Sequence, residues 1–352
     1  MLLLSILVAL LSGFDLVVGL NNAQPNLDIW DIDESCIPHQ STLRKAYNDV
    51  AVMAAKALRD VQFVQQPRPS HLQDRIEWAA LPEPLKTCVY KRMSEALYGK
   101  VHYPPRGFSD LHDKALWMCG DASWKWHTKE MNDPYITPTK PLYLSRPDIF
   151  KVAAGAWVHK QRFITNGDPR GVGVCRPDVF ASTRVKEDFI TFCDFFSDRV
   201  SKAESPVDGK NSVVVGETTL DHFQDSGSRI MFHELVHWFG TTFDEKGDLI
   251  RHQQAVSADG DLVWVYTDKV GRPKLTTTSK QQPGISYAKW VVYTYARCSR
   301  LARSHPGSEF AQNSGPAMAT NTAETYAYFA MMAYLDNFDW SGDEIAKNIN
   351  GD

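Results

Sequence analysis

Three things are missing from this 352-residue sequence, and each absence narrows what the protein does. It has no block of Lys and Arg, and its formal charge is -4. Phosphate backbones need a concentrated basic surface, so nucleic acid is not expected as a partner. Past the first twenty residues no apolar run approaches the roughly 20 residues that a bilayer-spanning helix requires. No Asn-x-Ser/Thr triplet occurs, which leaves N-glycosylation no acceptor. Internal repeats and long low-complexity linkers are absent too, so the chain reads as one domain rather than an array.

What is present is ordinary globular material, 43% apolar and 11% aromatic, enough for a sizeable core. Met1 to Leu20 is apolar and gives way at once to Asn21-Asn22-Ala23-Gln24. Val17 and Gly19 suit the small positions before a signal-peptidase cut, so residues 1–19 read as a secretory signal and the mature chain as extracellular. A membrane anchor is the competing reading, and Asp15 within the run argues against it. Six cysteines, Cys36, Cys88, Cys119, Cys175, Cys193 and Cys298, all follow the cut. An even number in an exported chain predicts that all are paired in disulfides.

Hydrophobic spacing predicts an α+β chain. Ser41 opens a helix to about Val64, with Leu43, Ala46, Val50, Met53, Ala54 and Leu58 on one face. A second helix is expected from about Glu83 to Leu97. Trp124, Trp126 and His127 sit in an aromatic loop whose simplest role is packing. Strands are expected at 142–144, 156–158, 162–164 with its Asn166-Gly167 turn, 188–193 and 213–215. Residues 262–266 and 274–276 read as a hairpin, and helices from about Tyr287 to Ala302 and Thr322 to Leu335 close the domain.

The chemistry concentrates in His233-Glu234-Leu235-Val236-His237. Residues four apart in a helix share a face, so His233 and His237 can point their imidazoles at one metal ion, with Glu234 beside them to act on water. Asp225, Ser226 and Ser228 offer caps for this helix, Phe232, Leu235, Val236 and Phe239 form its apolar stripe, and Gly240 suits its end. A catalytic zinc takes three protein ligands, so a third is needed. Asp244 is the nearest candidate, Glu324 a distant one, and Asp259, Asp261 and Asp268 remain open. Glu324 reads better as a carboxylate that orients His233 or His237. His222, His252 and His305 read as lone histidines without metal spacing.

HELVH followed by Gly240-Thr241-Thr242-Phe243-Asp244 resembles the deuterolysin-like zinc metalloendopeptidases, or aspzincins, a family of mostly secreted fungal enzymes. There H-E-x-x-H is followed by G-T-x-x-D. Residues 296–302 and 321–330 are similar to the family's A-C-x-x-L-A and N-A-[DE]-x-Y-x-x-[FY]-A segments, and the likeness runs from about Cys36 to Leu335.

The resemblance implies a single zincin-like domain over residues 20–352, its HExxH helix packed on a small mixed sheet and helices added at both ends. It implies one zinc held by His233, His237 and Asp244, with Glu234 as general base toward a zinc-activated water. It also implies a carbonyl-polarising tyrosine. The family's tyrosine soon after the aspartate is replaced by Glu245-Lys246-Gly247, so Tyr287 is the expected substitute. Cys175 with Cys193 corresponds to the family's local bridge, Cys36 with Cys119 is a second expectation, and Cys88 with Cys298 is what remains. The expected function is peptide-bond hydrolysis by a secreted monomer acting on proteins or peptides. The rival is a zinc-scavenging, antigen-like protein on the same scaffold, which has no use for Glu234. A wall protein or toxin-like effector is a third reading.

Overall fold

The computed structural model describes residues 27–65, 114–150, 153–165, 169–171, 173–177, 179–200, 202–240, 250–304, 315–340 and 344–349. The chain is α+β, with several small sheets and a set of packed helices. Strands β1 (Asp31–Ile32), β2 (Leu116–Cys119), β6 (Ala181–Arg184) and β7 (Phe189–Phe192) form a four-stranded sheet in the order β1-β2-β7-β6. Its first three strands are parallel, and β6 closes the edge antiparallel to β7. A second, antiparallel sheet contains β3 (Lys125–Thr128), β4 (Gly155–His159) and β5 (Arg162–Ile164).

The period of two along β2 and β7 puts each strand's side chains on both faces of the first sheet. Trp117, Ile190 and Phe192 face the main core, while Leu116, Met118 and Phe189 face a smaller cluster with Trp124 and Ile164. Burial on both faces is why Phe189-Ile190-Thr191-Phe192 is legible as a continuous run. β6, Ala-Ser-Thr-Arg, has no apolar alternation to read because it lies at the sheet edge with half-buried side chains.

On the core face lie helices α1 (Gln40–Gln65), α3 (Gly227–Gly240) and α6 (Ala323–Tyr334), which pack on one another. Between the first two in sequence comes α2 (Asp194–Val200), and α4 (Tyr295–Arg303) and α5 (Gly315–Thr320) precede α6. On α1 the expected face is buried through Leu43, Ala46, Val50, Met53 and Ala54. α3 is apolar nearly all round and surrounded nearly all round: Phe232, Leu235, Val236 and Trp238 are buried, each contributing roughly 1.5–3 kcal/mol. α3 also packs against β6, so the histidine helix and the sheet edge are neighbours.

A further sheet stands apart from that core, with β8 (Val263–Thr267), β9 (Pro273–Thr277) and β10 (Ala288–Lys289) in the order β10-β8-β9. The short pair β11 (Phe338–Asp339) and β12 (Lys347–Asn348) completes the elements.

Several expectations need correction. Residues 142–144 begin a helical turn, Leu142–Ser145, in which Leu142 is buried while Tyr143 and Leu144 are exposed, one inward side chain rather than alternation. Val213–Val215 makes no strand; Val214 and Val215 are exposed and run into a turn at Gly216, whose φ is +81°. The helix expected from Tyr287 starts at Tyr295, capped by the Thr294 side chain, and Ala288–Lys289 joins β8 instead. The expected helix at 83–97 and the Asn166-Gly167 turn lie outside the described residues.

Cys36–Cys119 and Cys175–Cys193 are disulfides. They span 83 and 18 residues of sequence, for which the loop-entropy relation gives about 4.5 and 3 kcal/mol. The Cys88–Cys298 pairing is not formed, because Cys298 is a buried free thiol on α4; Cys88 itself lies outside the described residues. Burial pushes the Cys298 thiol well above its ordinary value. Among the described residues no helix is long and apolar enough to cross a membrane.

Candidate metal centre and cleft

Ser226 starts the motif helix, its hydroxyl accepting the Arg229 amide at 3.3 Å. One and two turns on, His233 and His237 lie on one face with their Nε2 atoms 3.0 Å apart. Gly240 ends the helix where a side chain would strike Ile250, whose Cγ1 would stand 2.8 Å from an added Cβ. That close approach has a use: the Ile250 carbonyl accepts the Nδ1 proton of His237 at 2.7 Å.

The third group is His252. In sequence it reads as a lone histidine because no fixed spacing ties it to the motif, yet the fold brings it in. Its strand-like neighbour Arg251 bridges to Thr322, and Arg251's amide donates to the Asn321 carbonyl at 3.2 Å. The His252 ring stacks on His233 at 4.9 Å and meets His237 edge-on at 4.5 Å. One ring nitrogen from each of His233, His237 and His252 lies within 4.8 Å of the others. The three grade from buried His233 to exposed His252, so the cluster opens to solvent on one side.

Both helix histidines are oriented from behind. Glu324 Oε2 sits 2.8 Å from His233 Nδ1, off the line of a well-formed hydrogen bond, and Glu324 Oε1 accepts from Arg229 Nη1 at 2.7 Å. Arg229 in turn donates to the Gln224 carbonyl at 2.6 Å. Glu324 therefore lies behind His233 and paired with Arg229, outside the histidine cluster.

This arrangement tests whether a cation fits. With Nδ1 of each ring turned to an oxygen, the facing Nε2 atoms of neutral His233 and His237 present lone pairs to each other across 3.0 Å. Burial holds both rings well below the usual imidazole range, which opposes relief by protonation. A borderline-soft divalent cation relieves the same repulsion, and imidazole donors backed by a carboxylate and a carbonyl suit zinc. The donor set fits a metal ion.

Glu234 is buried one residue from His233, and its Oε2 accepts from the Thr183 hydroxyl at 2.6 Å. The same hydroxyl lies 3.0 Å from the Glu234 carbonyl, so β6 holds both the carboxylate and its helix turn. Burial raises the Glu234 carboxyl to about 7; Thr183 partly offsets this, and the charge of Glu324 adds to it. A carboxyl poised there can exchange a proton near neutral pH.

These groups line a cleft of about 600 Å³ between β6, α3 and the Ile250–His252 segment. The tyrosine in it is Tyr293, whose ring lies 5.5 Å from His252 and 6.1 Å from His233. Tyr287 is elsewhere: it packs on Tyr266 beside the outlying sheet, and its hydroxyl accepts the Gln282 amide at 2.8 Å. Asp244 lies outside the described residues. Asp259, Asp261 and Asp268 do not line the cleft, and Asp268 caps the β8–β9 turn by accepting the Val270 and Arg272 amides.

Scans against protein-family models and against curated proteins find no match to this chain.

Proposed function

We propose that the chain is a zinc-dependent metalloendopeptidase of the deuterolysin-like class, acting outside the cell on proteins or peptides. The observation that carries the reading is Glu234, buried beside the histidine cluster and held by Thr183 with its carboxyl poised near neutrality. A protein that only stores metal needs His233, His237 and His252 but no proton acceptor among them. In this reading His233, His237 and His252 hold the zinc, with His252 where the family resemblance puts Asp244. The HExxH helix against the edge of a mixed sheet is then a zincin-like arrangement.

Zinc, when bound, supplies Lewis-acid activation of water and of the scissile carbonyl. Glu234 accepts a proton from the attacking water and returns it to the leaving amine. Thr183 keeps the carboxylate turned into the cleft while this happens. Tyr293, beside His252 in the cleft and 42% exposed, is the side chain that would donate a hydrogen bond to the oxygen on which negative charge develops. Among the described residues β6 is the edge strand of its sheet, a place where an extended peptide can add alongside.

The test is cleavage of casein and of a peptide library by zinc-supplemented protein, with and without chelator, beside the Glu234→Gln variant. Chelator-sensitive cleavage that disappears in the variant supports the reading. If the wild type and the variant share the same lack of cleavage across pH while binding one zinc each, the zinc-scavenging alternative replaces it.

A further inference from the structure

The wall opposite the histidines carries a charge that the proposed chemistry does not use. Arg184 follows Thr183 on β6 and lines the same cleft. Its Nε is shut off from solvent and has no hydrogen-bond partner among the described residues. A buried donor left without an acceptor costs free energy, and in a cleft the natural remedy is a ligand that brings one.

The surroundings select the ligand's charge. Arg176, Lys186 and Arg251 line the same cleft, although the chain as a whole carries a formal charge of -4. Arg229 also lines it but is committed to Glu324. The acids present do not balance these cations: Glu234 is occupied with Thr183, and Asp225 acts on Arg229. Glu187 lines the cleft and acts on Arg184, with burial raising its carboxyl above its ordinary value, which leaves Arg176, Lys186 and Arg251 in excess. A carboxylate offers a planar guanidinium two acceptors in matching geometry.

We propose that Arg184 heads a subsite for a substrate carboxylate, the side chain of an Asp or Glu close to the scissile bond, so that the enzyme prefers acidic peptides. This rests on the peptidase reading of the same cleft. A C-terminal carboxylate shares the chemistry, and the side chain is favoured because β6, which lines the cleft, is an edge strand among the described residues, where an internal segment can lie.

Matched peptides carrying Glu, Gln or Lys at each position around one cleavable bond, with free or amidated C-termini, are compared on the zinc-loaded protein. The Glu peptide is expected to exceed its Gln counterpart by about tenfold or more in kcat/KM. That ratio should fall toward one in Arg184→Gln and partly survive in Arg184→Lys. Being a ratio within one protein preparation, it does not depend on how much of a variant folds. Fluorescence anisotropy of the same peptides on zinc-loaded Glu234→Gln protein reads the preference without turnover. Binding preference without any cleavage by the wild type sinks the peptidase reading and leaves the subsite standing. Equal handling of Glu and Gln, a preference that survives Arg184→Gln, or a gain that follows the free C-terminus overturns the proposal.

Discussion

Replacing Glu324 by Gln separates two roles that one carboxylate plays. Glu324 is fully buried on α6, 2.7 Å from Arg229 and 2.8 Å from His233. Deleting its charge leaves the buried Arg229 guanidinium without its hydrogen-bonded carboxylate and with Asp225 as the acid still acting on it, a change that typically costs about 3–5 kcal/mol. For a domain of this size that is a fall of roughly 4–7 °C in the melting temperature of the metal-free protein. The second effect is on His233, which loses the carboxylate behind its Nδ1, and such a loss usually weakens metal affinity by about 10–100-fold.

Thermal melts of chelator-treated protein read the first quantity, and competition for zinc against a chromophoric chelator reads the second. Melts must be metal-free, because bound zinc would add its own stabilisation. The paired variant Arg229→Met with Glu324→Leu removes both charges and should recover much of the stability while leaving zinc affinity weak. If Glu324→Gln is destabilised but binds zinc within about twofold of wild type, Glu324 merely ties α6 to α3 and the orienting role is refuted. If the paired variant regains both properties, the argument fails as well.

The same geometry sets the outcome of three other perturbations. His252→Ala should lower zinc affinity by more than Glu324→Gln does, since it removes a donor rather than an orienting group; titration of His252→Ala and Asp244→Ala side by side decides which residue completes the ligand set. Thr183→Val should lower kcat by about tenfold or more with little change in KM, and Thr183→Ser should restore most of it, because only the hydroxyl reaches Glu234. Asp33 supplies a pH dependence away from the cleft. Burial works against its ionisation, but the Ser35 side chain and amide, His159 and Lys160 outweigh it and hold the carboxyl below the usual carboxylate range. Its folded value lies below its unfolded one, so its stabilisation is full above about pH 4 and fades as pH falls further. Asp33→Asn should therefore lose less melting temperature than wild type between about pH 6 and pH 3.

Sequence alone is enough for features governed by local period or by a short motif. The α1 face, the hairpin 262–276, the inward strand at 188–193 and the pairing of His233 with His237 all depend on residues close in the chain, where 3.6- and 2-residue repeats decide which side chains share a face. Cys175–Cys193 is reached through the family resemblance and Cys36–Cys119 stands beside it as a second expectation, while the pairing left by elimination fails at Cys298, because whether a thiol finds a partner is settled by distance in space.

The rest of the cleft is hidden for a similar reason. β6 shows no apolar alternation, so nothing in the sequence marks Thr183 and Arg184, although one holds Glu234 and the other lines the same cleft. His252 and Tyr293 stand on irregular segments with no spacing rule linking them to the motif. Only the packing of α3 against β6 and α6, and the bridge from Arg251 to Thr322, bring them to it. The helix thus sets two histidines and a carboxylate by its own geometry, whereas the third imidazole, the orienting Glu324 and the charged wall come from distant stretches that meet only when the core closes.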